Sequence, residues 1–160
     1  DTQVYGFDIE GSQYFRLPKD TILLINGEIS TVSQWGAGNQ VPIYERLFLG
    51  GSNNLRGFPF REVGPKDENG EPTGGQSMAR ATIEWTFPII EKARGALFYD
   101  MGFVNSDAWS FGFNNMASDI GVGIRLDLPI GPLRLDYGYP VMRDGYNGGG
   151  HFNFNVGYQF

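Results

Sequence analysis

Side chains able to make or break bonds are scarce in this 160-residue chain. It has no cysteine, which excludes thiol nucleophiles, thiolate zinc sites and disulfides. Its one histidine, His151, follows Gly148-Gly149-Gly150 and has no metal-binding partners at ligand spacing. No Ser-His-Asp arrangement can be drawn around it. Asp67, Glu68 and Glu71 cluster in one tract, but their spacing matches no calcium-binding loop. Asp127 and Asp136 would be a carboxylate pair for acid–base work, yet charge pairing with Arg125 and Arg134 across neighbouring strands accounts for both. The expectation is a protein that is not an enzyme and uses no metal or cofactor. A net charge of −6 with twelve Lys and Arg leaves no basic footprint, so nucleic acid is not expected as a partner. What remains is a small set of charges whose placement, rather than reactivity, must matter.

The elements that place them read as strands. In HFNFNVGYQF at 151–160, Phe152, Phe154, Val156, Tyr158 and Phe160 alternate with His151, Asn153, Asn155, Gly157 and Gln159. The same period of two runs through 78–87 (Ala79, Ala81, Ile83, Trp85, Phe87 on one face), 120–128 (Ile120, Val122, Ile124, Leu126, Leu128) and 133–139 (Leu133, Leu135, Tyr137, Tyr139). It is looser in 94–103, and weaker again in 3–15 and 21–35. That makes seven strand candidates and no convincing helix. On the four strands between 78 and 139, Arg80, Glu84, Arg94, Asp100, Arg125, Asp127, Arg134 and Asp136 all fall on the polar face. A small soluble barrel fills its interior with the apolar face; a membrane barrel turns that face to lipid and its charges to the lumen.

The connections decide between them. Short turns at 17–19, 88–92 and 129–132 alternate with long connections at 36–77, 104–119 and 141–150, the pattern of short periplasmic turns and long extracellular loops. No apolar run reaches the about 18 residues of a spanning helix. Glycine, 24 of 160 residues, is about twice its usual share, and aromatics reach 15%. The fold class expected is therefore all-β, an antiparallel transmembrane β-barrel. Seven strands are an odd number, whereas single-chain bacterial barrels have even counts. Either one strand hides in the long loop, or strands upstream of Asp1-Thr2-Gln3 are missing. The second reading is preferred: residues 1–160 as the C-terminal part of a larger outer-membrane β-barrel domain.

The long loop, 36–77, has two unlike halves. PKDENGEPTGG at 65–75 is acidic, rich in Gly and Pro and free of apolar residues, and reads as a mobile tip. VPIYERLFLGGSNNLRGFPFREVGP at 41–65 mixes apolar residues, Gly-Gly and an Arg-Gly-Phe turn, unlike a solvated loop.

YERLFLGGSNNLRGF at 44–58 with VGP at 63–65 resembles the inward-folding loop of outer-membrane assembly proteins of the BamA type, whose wider superfamily includes TamA-like proteins and FhaC-like two-partner-secretion transporters. IEW at 83–85 before Pro88, FYDMG at 98–102 in the place of the family's F-x-D-x-G strand, and a terminal strand ending in Phe160 follow in the family's order. The resemblance implies the C-terminal seven or so strands of a sixteen-stranded barrel with the long loop inserted in its lumen. It implies that the loop motif Leu55, Arg56, Gly57 and Phe58 meets a wall of Glu84, Phe98, Asp100 and Gly102, with Arg56 paired to Asp100 and Glu84. Gly57 would let the backbone turn, Phe58 would pack under the loop, and Gly102 would leave room.

The implied activity is folding and inserting β-barrel proteins into the bacterial outer membrane by strand pairing at a lateral seam. The last strand, with Phe152, Phe154, Val156, Gly157, Tyr158 and Phe160, would be both a seam edge and a C-terminal assembly signal. The implied partners are the outer-membrane bilayer, unfolded outer-membrane proteins and accessory lipoproteins of an assembly complex. A two-partner-secretion-type pore and a small structural barrel without insertase activity are the alternatives.

Overall fold

The computed structural model describes residues 3–36, 40–113, 115–143 and 145–156. Seven strands lie in one antiparallel sheet in chain order: β1 (Gln3–Leu17), β2 (Thr21–Trp35), β3 (Ser77–Ile90), β4 (Ala93–Asn105), β5 (Ala117–Leu128), β6 (Gly131–Arg143) and β7 (His151–Val156). A single 3-10 turn, Ile43–Glu45, is the only helical element among the described residues. Gly157, Tyr158 and Phe160 lie outside the described residues, as does the end of the expected strand 151–160. The long loop carries only isolated bridges, Leu47 with Gly75, Leu49 with Val63 and Lys66 with Pro72, so no eighth strand is hidden in its described part.

Two boundaries differ from expectation. Pro88 does not end β3, which continues to Ile90 through a register shift. Pairing of β3 with β2 stops at Thr86, so Pro88 sits where β3 has a partner on one side only and its missing N–H is tolerated. Likewise β6 runs past Tyr139 through the buried Pro140, because a register shift against Ser118/Asp119 absorbs the proline. The 65–75 tract, expected as a mobile tip, contains a hydrogen-bonded turn. Asp67 accepts from the backbone N–H groups of Asn69 and Glu71 at 2.8 and 2.9 Å, an Asx-type brace above the Lys66/Pro72 bridge.

The outward face keeps its apolar residues exposed: Ile83, Ile120, Val122, Tyr137, Phe152 and Phe154 are all 41% or more accessible. The buried apolar core lies on the opposite face, where Leu49, Leu55, Phe58 and Val63 of the long loop pack against Met78, Val104 and Ala117 of the wall. The strands thus turn an apolar face outward along most of their length and cover the inner face with their own loop. That inner face is concave. On a flat sheet β3 and β7 would stand ~19 Å apart, at ~4.8 Å per strand. Yet the single residue Arg56 bonds Glu84 on β3 with its side chain and Asn153 on β7 with its backbone carbonyl.

A consequence can be measured in the full-length protein. Ile83→Arg, in the middle of the outward face of β3, is expected to destabilise the membrane-inserted barrel by about 2–4 kcal/mol, whereas Ser12→Arg on the inward face of β1 costs less than about 1 kcal/mol. Urea unfolding from vesicles reads both, and equal costs would mean the two faces have been exchanged.

Candidate functional site

The centre of the structure is a turn in the long loop seated on the inner wall. Gly50 and Gly51 both adopt positive φ, 119° and 114°, and redirect the chain inward. The Asn54 side-chain oxygen then accepts from the N–H groups of Gly50 and Leu55, both at 2.7 Å, and Phe58 N–H closes on Leu55 C=O at 3.2 Å. This presents Leu55-Arg56-Gly57-Phe58 to the wall, with all four residues buried.

Arg56 is 5% accessible. Its Nε and Nη2 donate to the two oxygens of Asp100 at 2.9 Å each, a bidentate fork, and its own backbone N–H donates to the same carboxylate at 3.2 Å. Nη1 donates to Glu84 at 2.7 Å and lies 3.5 Å from Asp136. The guanidinium carbon stands 3.6 Å from the centre of the Phe98 ring, so one face of the cation is covered by an aromatic. Burial alone favours the neutral form, but Asp100, then Glu84 and Asp136, outweigh it and hold Arg56 above the ordinary arginine range. The wall is itself tied together: Arg125 donates to Glu84 and to Asp136, both at 2.6 Å, Arg134 pairs with Asp136 at 3.2 Å, and Thr82 donates to Asp100 at 2.8 Å.

Close approach, not turn geometry, accounts for Gly57. It is not among the positive-φ residues; instead a Cβ there would lie 2.5 Å from Cβ of Asp119 and 3.2 Å from the Tyr139 carbonyl carbon. Gly138 on β6 is its counterpart, since a Cβ would come within 2.6 Å of Gly57 N and 2.8 Å of the Arg56 carbonyl carbon. Gly102 makes space for Leu49, whose methyl would be 2.8 Å from an added Cβ. Phe58 is fully buried and packs on Tyr146 with ring centres 5.5 Å apart.

Arg56, Phe98, Glu84, Asp100, Gly102, Gly57 and Phe58 therefore meet in one cluster. Four further members were not assigned to it from sequence. Asp119 is fully buried, directly opposite Asp100 in the β4/β5 register and beneath Gly57. Extending the alternation of 120–128 back by one residue would have placed it on the inner face. Asp136 pairs with Arg125 and Arg134 across the strands on the inner face as expected and, with Arg125, also joins the Arg56 cluster, while Asn153 Nδ2 donates to the Arg56 carbonyl at 2.7 Å. Asp127, expected among the paired charges, is instead exposed where β5 runs into the Pro129-Ile130 turn. No group of three or more potential ligands that could hold a metal ion occurs among the described residues, Asp67, Glu68 and Glu71 included. On β7, Phe152, Phe154 and Val156 point outward opposite Tyr137, Leu135 and Leu133.

Residues 1–160 match the Omp85 superfamily domain. The chain is 31% identical over 158 residues to the outer membrane protein assembly factor BamA of Nitratidesulfovibrio vulgaris, covering 95% of this chain and 20% of that protein. To BamA of Neisseria meningitidis serogroup B it is 26% identical over 191 residues, covering 99% of this chain and 24% of that protein. It is also 28% identical over 122 residues to the chloroplastic outer envelope protein 80 of Arabidopsis thaliana, covering 71% of this chain and 15% of that protein. The crystal structure of BamA from Haemophilus ducreyi lacking POTRA domains 1–3 shares the fold with a TM-score of 0.77 at 22% identity, covering 95% of this chain and 34% of that one. The chain thus spans about a fifth to a quarter of the two BamA relatives.

Removing the cation should leave Asp100 buried without its fork. Arg56→Ala is expected to weaken loop docking by about 3–5 kcal/mol, and Arg56→Lys by less, because a lysine keeps the charge but loses the planar pair of hydrogen bonds to Asp100. Gly138→Ala should undock the loop without touching any charge. The readout is limited proteolysis across 45–78 in the folded full-length barrel, with strand content followed by circular dichroism. Unchanged cleavage in both Arg56→Ala and Gly138→Ala would mean that the network does not hold the loop.

Proposed function

The chain belongs to the Omp85 superfamily of outer-membrane proteins, and on that premise we propose that it is the C-terminal barrel portion of an outer-membrane protein assembly factor. In this reading the whole protein folds incoming β-barrel proteins and inserts them into the outer membrane by offering strand edges at a lateral seam beside β7. The observation that carries it is the buried pairing of Arg56 with Glu84 and Asp100, which fixes the long loop against the inner wall. A wall braced from inside can keep the registers of β3 to β6 while its last strand exchanges partners. In this reading β7 borders the seam of the whole barrel, and a strand edge that opens there is a template for another strand.

The work proposed is an exchange of backbone hydrogen bonds in a lipid environment. It forms and breaks no covalent bond, so no catalytic group, metal or cofactor is called for. Its partners would be the bilayer, unfolded outer-membrane proteins presenting a terminal strand, and the accessory lipoproteins of an assembly complex.

The test uses the full-length protein reconstituted in phosphatidylcholine vesicles and an unfolded eight-stranded barrel as client, with folding followed by heat-modifiable migration. Client folding should be faster than in empty vesicles, and Arg56→Ala should remove most of the acceleration. No acceleration by the wild type would sink the insertase reading, and client delivered to the vesicle interior instead of the bilayer would point to a secretion pore.

A further inference from the structure

The connection between β4 and β5 does not lean over the lumen. It is anchored to the outward side of the wall. Ser77 and Thr31, both on the outward alternation of their strands, are covered by it: Ser77 Oγ donates to the Asp107 carbonyl at 2.6 Å and accepts from Ser110 N–H at 2.9 Å, and Thr31 Oγ1 accepts from Trp109 N–H at 3.1 Å. Asn105 Nδ2 donates to the carbonyls of Ser110 and Gly112 at 2.7 and 3.2 Å, which stiffens the overhang. Trp109 reaches across to Phe7 on β1, with ring centres 6.5 Å apart, and Phe113 meets Phe103 edge-on at 5.8 Å. Phe103, on the same face as the exposed Leu97, is only 2% accessible for this reason.

Beneath the overhang lies a groove of about 630 Å³, within the usual range for small-molecule sites. Ile29, Ala79, Ala81 and Met101 form its floor, and Phe113 and Met116 roof it. The two charged residues at its border, Glu28 and Arg80, pair with each other at 2.6 Å, their positions falling on the inward alternation of β2 and β3. Among the described residues no other polar side chain lines it, and the floor is continuous with the exposed apolar belt of Ile9, Ile25 and Ile83. Tyr5 and Trp35, stacked edge-on at 5.7 Å, stand at the same rim as Trp109, as aromatic rings do at a membrane interface.

We propose that this groove is a lipid site, holding one acyl chain of a bilayer lipid from the leaflet on the long-loop side. A chain lying there is covered by floor and roof, whereas ordinary boundary lipid touches the wall alone, so its exchange with bulk lipid is slower. A second outward depression, around Ile83, Leu97, Val122 and Tyr137, has no such roof and serves as the comparison. The inference rests on the outward face meeting lipid and not on assembly activity, so failure of the insertion assay leaves it standing.

The experiment counts lipids on the full-length protein by native mass spectrometry after detergent purification and addition of dimyristoylphosphatidylcholine. One lipid should persist on the wild type and on Val122→Phe under conditions that strip the remainder. Ala81→Phe, which fills the floor, and Phe113→Ser, which opens the roof, should each lower its retention by about tenfold or more. Heat-modifiable migration checks folding, and Phe113→Ser decides alone if Ala81→Phe does not fold. Equal retention in all four proteins, meaning boundary lipid only, or no retained lipid on the wild type would overturn the proposal.

Discussion

A guanidinium that is almost wholly removed from water must be matched by carboxylates held in place beforehand, and most of the inner wall is arranged to meet that demand at Arg56. Three arginines, Arg56, Arg125 and Arg134, interleave with Glu84, Asp100 and Asp136, and each acid is tied to more than one partner or to a neighbouring hydroxyl. Desolvating charges is costly, and such clusters add little net stability over an apolar packing of equal volume. What they supply is geometry. An apolar loop could settle on the wall in many registers, whereas a bidentate fork to Asp100 with a third bond to Glu84 admits one.

The demand explains the composition as well. Where the turn meets β5 and β6, backbone lies on backbone, and only glycine at 57 and 138 lets the layers close to that distance. The buried apolar cluster belongs to the same contact, since Leu55 and Phe58, close to Arg56 in sequence, pack with Met78, Val104 and Ala117 at the loop-side ends of β3, β4 and β5. Burial in this protein is therefore concentrated at a loop-on-wall interface, while the strand faces that would form the core of a soluble sandwich look outward.

Much of this was legible in the residues because a strand's period of two sorts side chains without knowledge of the fold. Glu84, Phe98, Asp100 and Gly102 fall on one face by parity alone. What parity does not give is the register between a returning loop and several strands at once. That is why the cross-strand pairing of Asp136 with Arg125 and Arg134 is legible while its link to Arg56 is not, why Asn153 is one polar position among several, and why Asp127, on the same parity, reads with charges it does not meet. Asp119 is not legible in the same way because the alternation becomes strongly apolar only at Ile120, one residue after it, although β5 begins at Ala117. The fold at 67–71 was hidden for another reason: Asp67 organises its turn through side-chain-to-backbone bonds that composition cannot distinguish from solvation.

The partners of Arg56 also lie at instructive distances along the chain: 28 residues on for Glu84, 44 for Asp100 and 97 for Asn153. All of them come after the loop. While the polypeptide is being assembled, the loop exists before any of these partners, and each later strand adds one more anchor. Contacts at such separation form late, because the chain between them must be ordered first. Docking of the turn thus reports that β3, β4, β6 and β7 are already side by side, and the Asn153 bond to the Arg56 carbonyl is the last signature on that list. The same bond ties the loop to β7, so a displacement of β7 would be felt at the turn without passing through the intervening sheet.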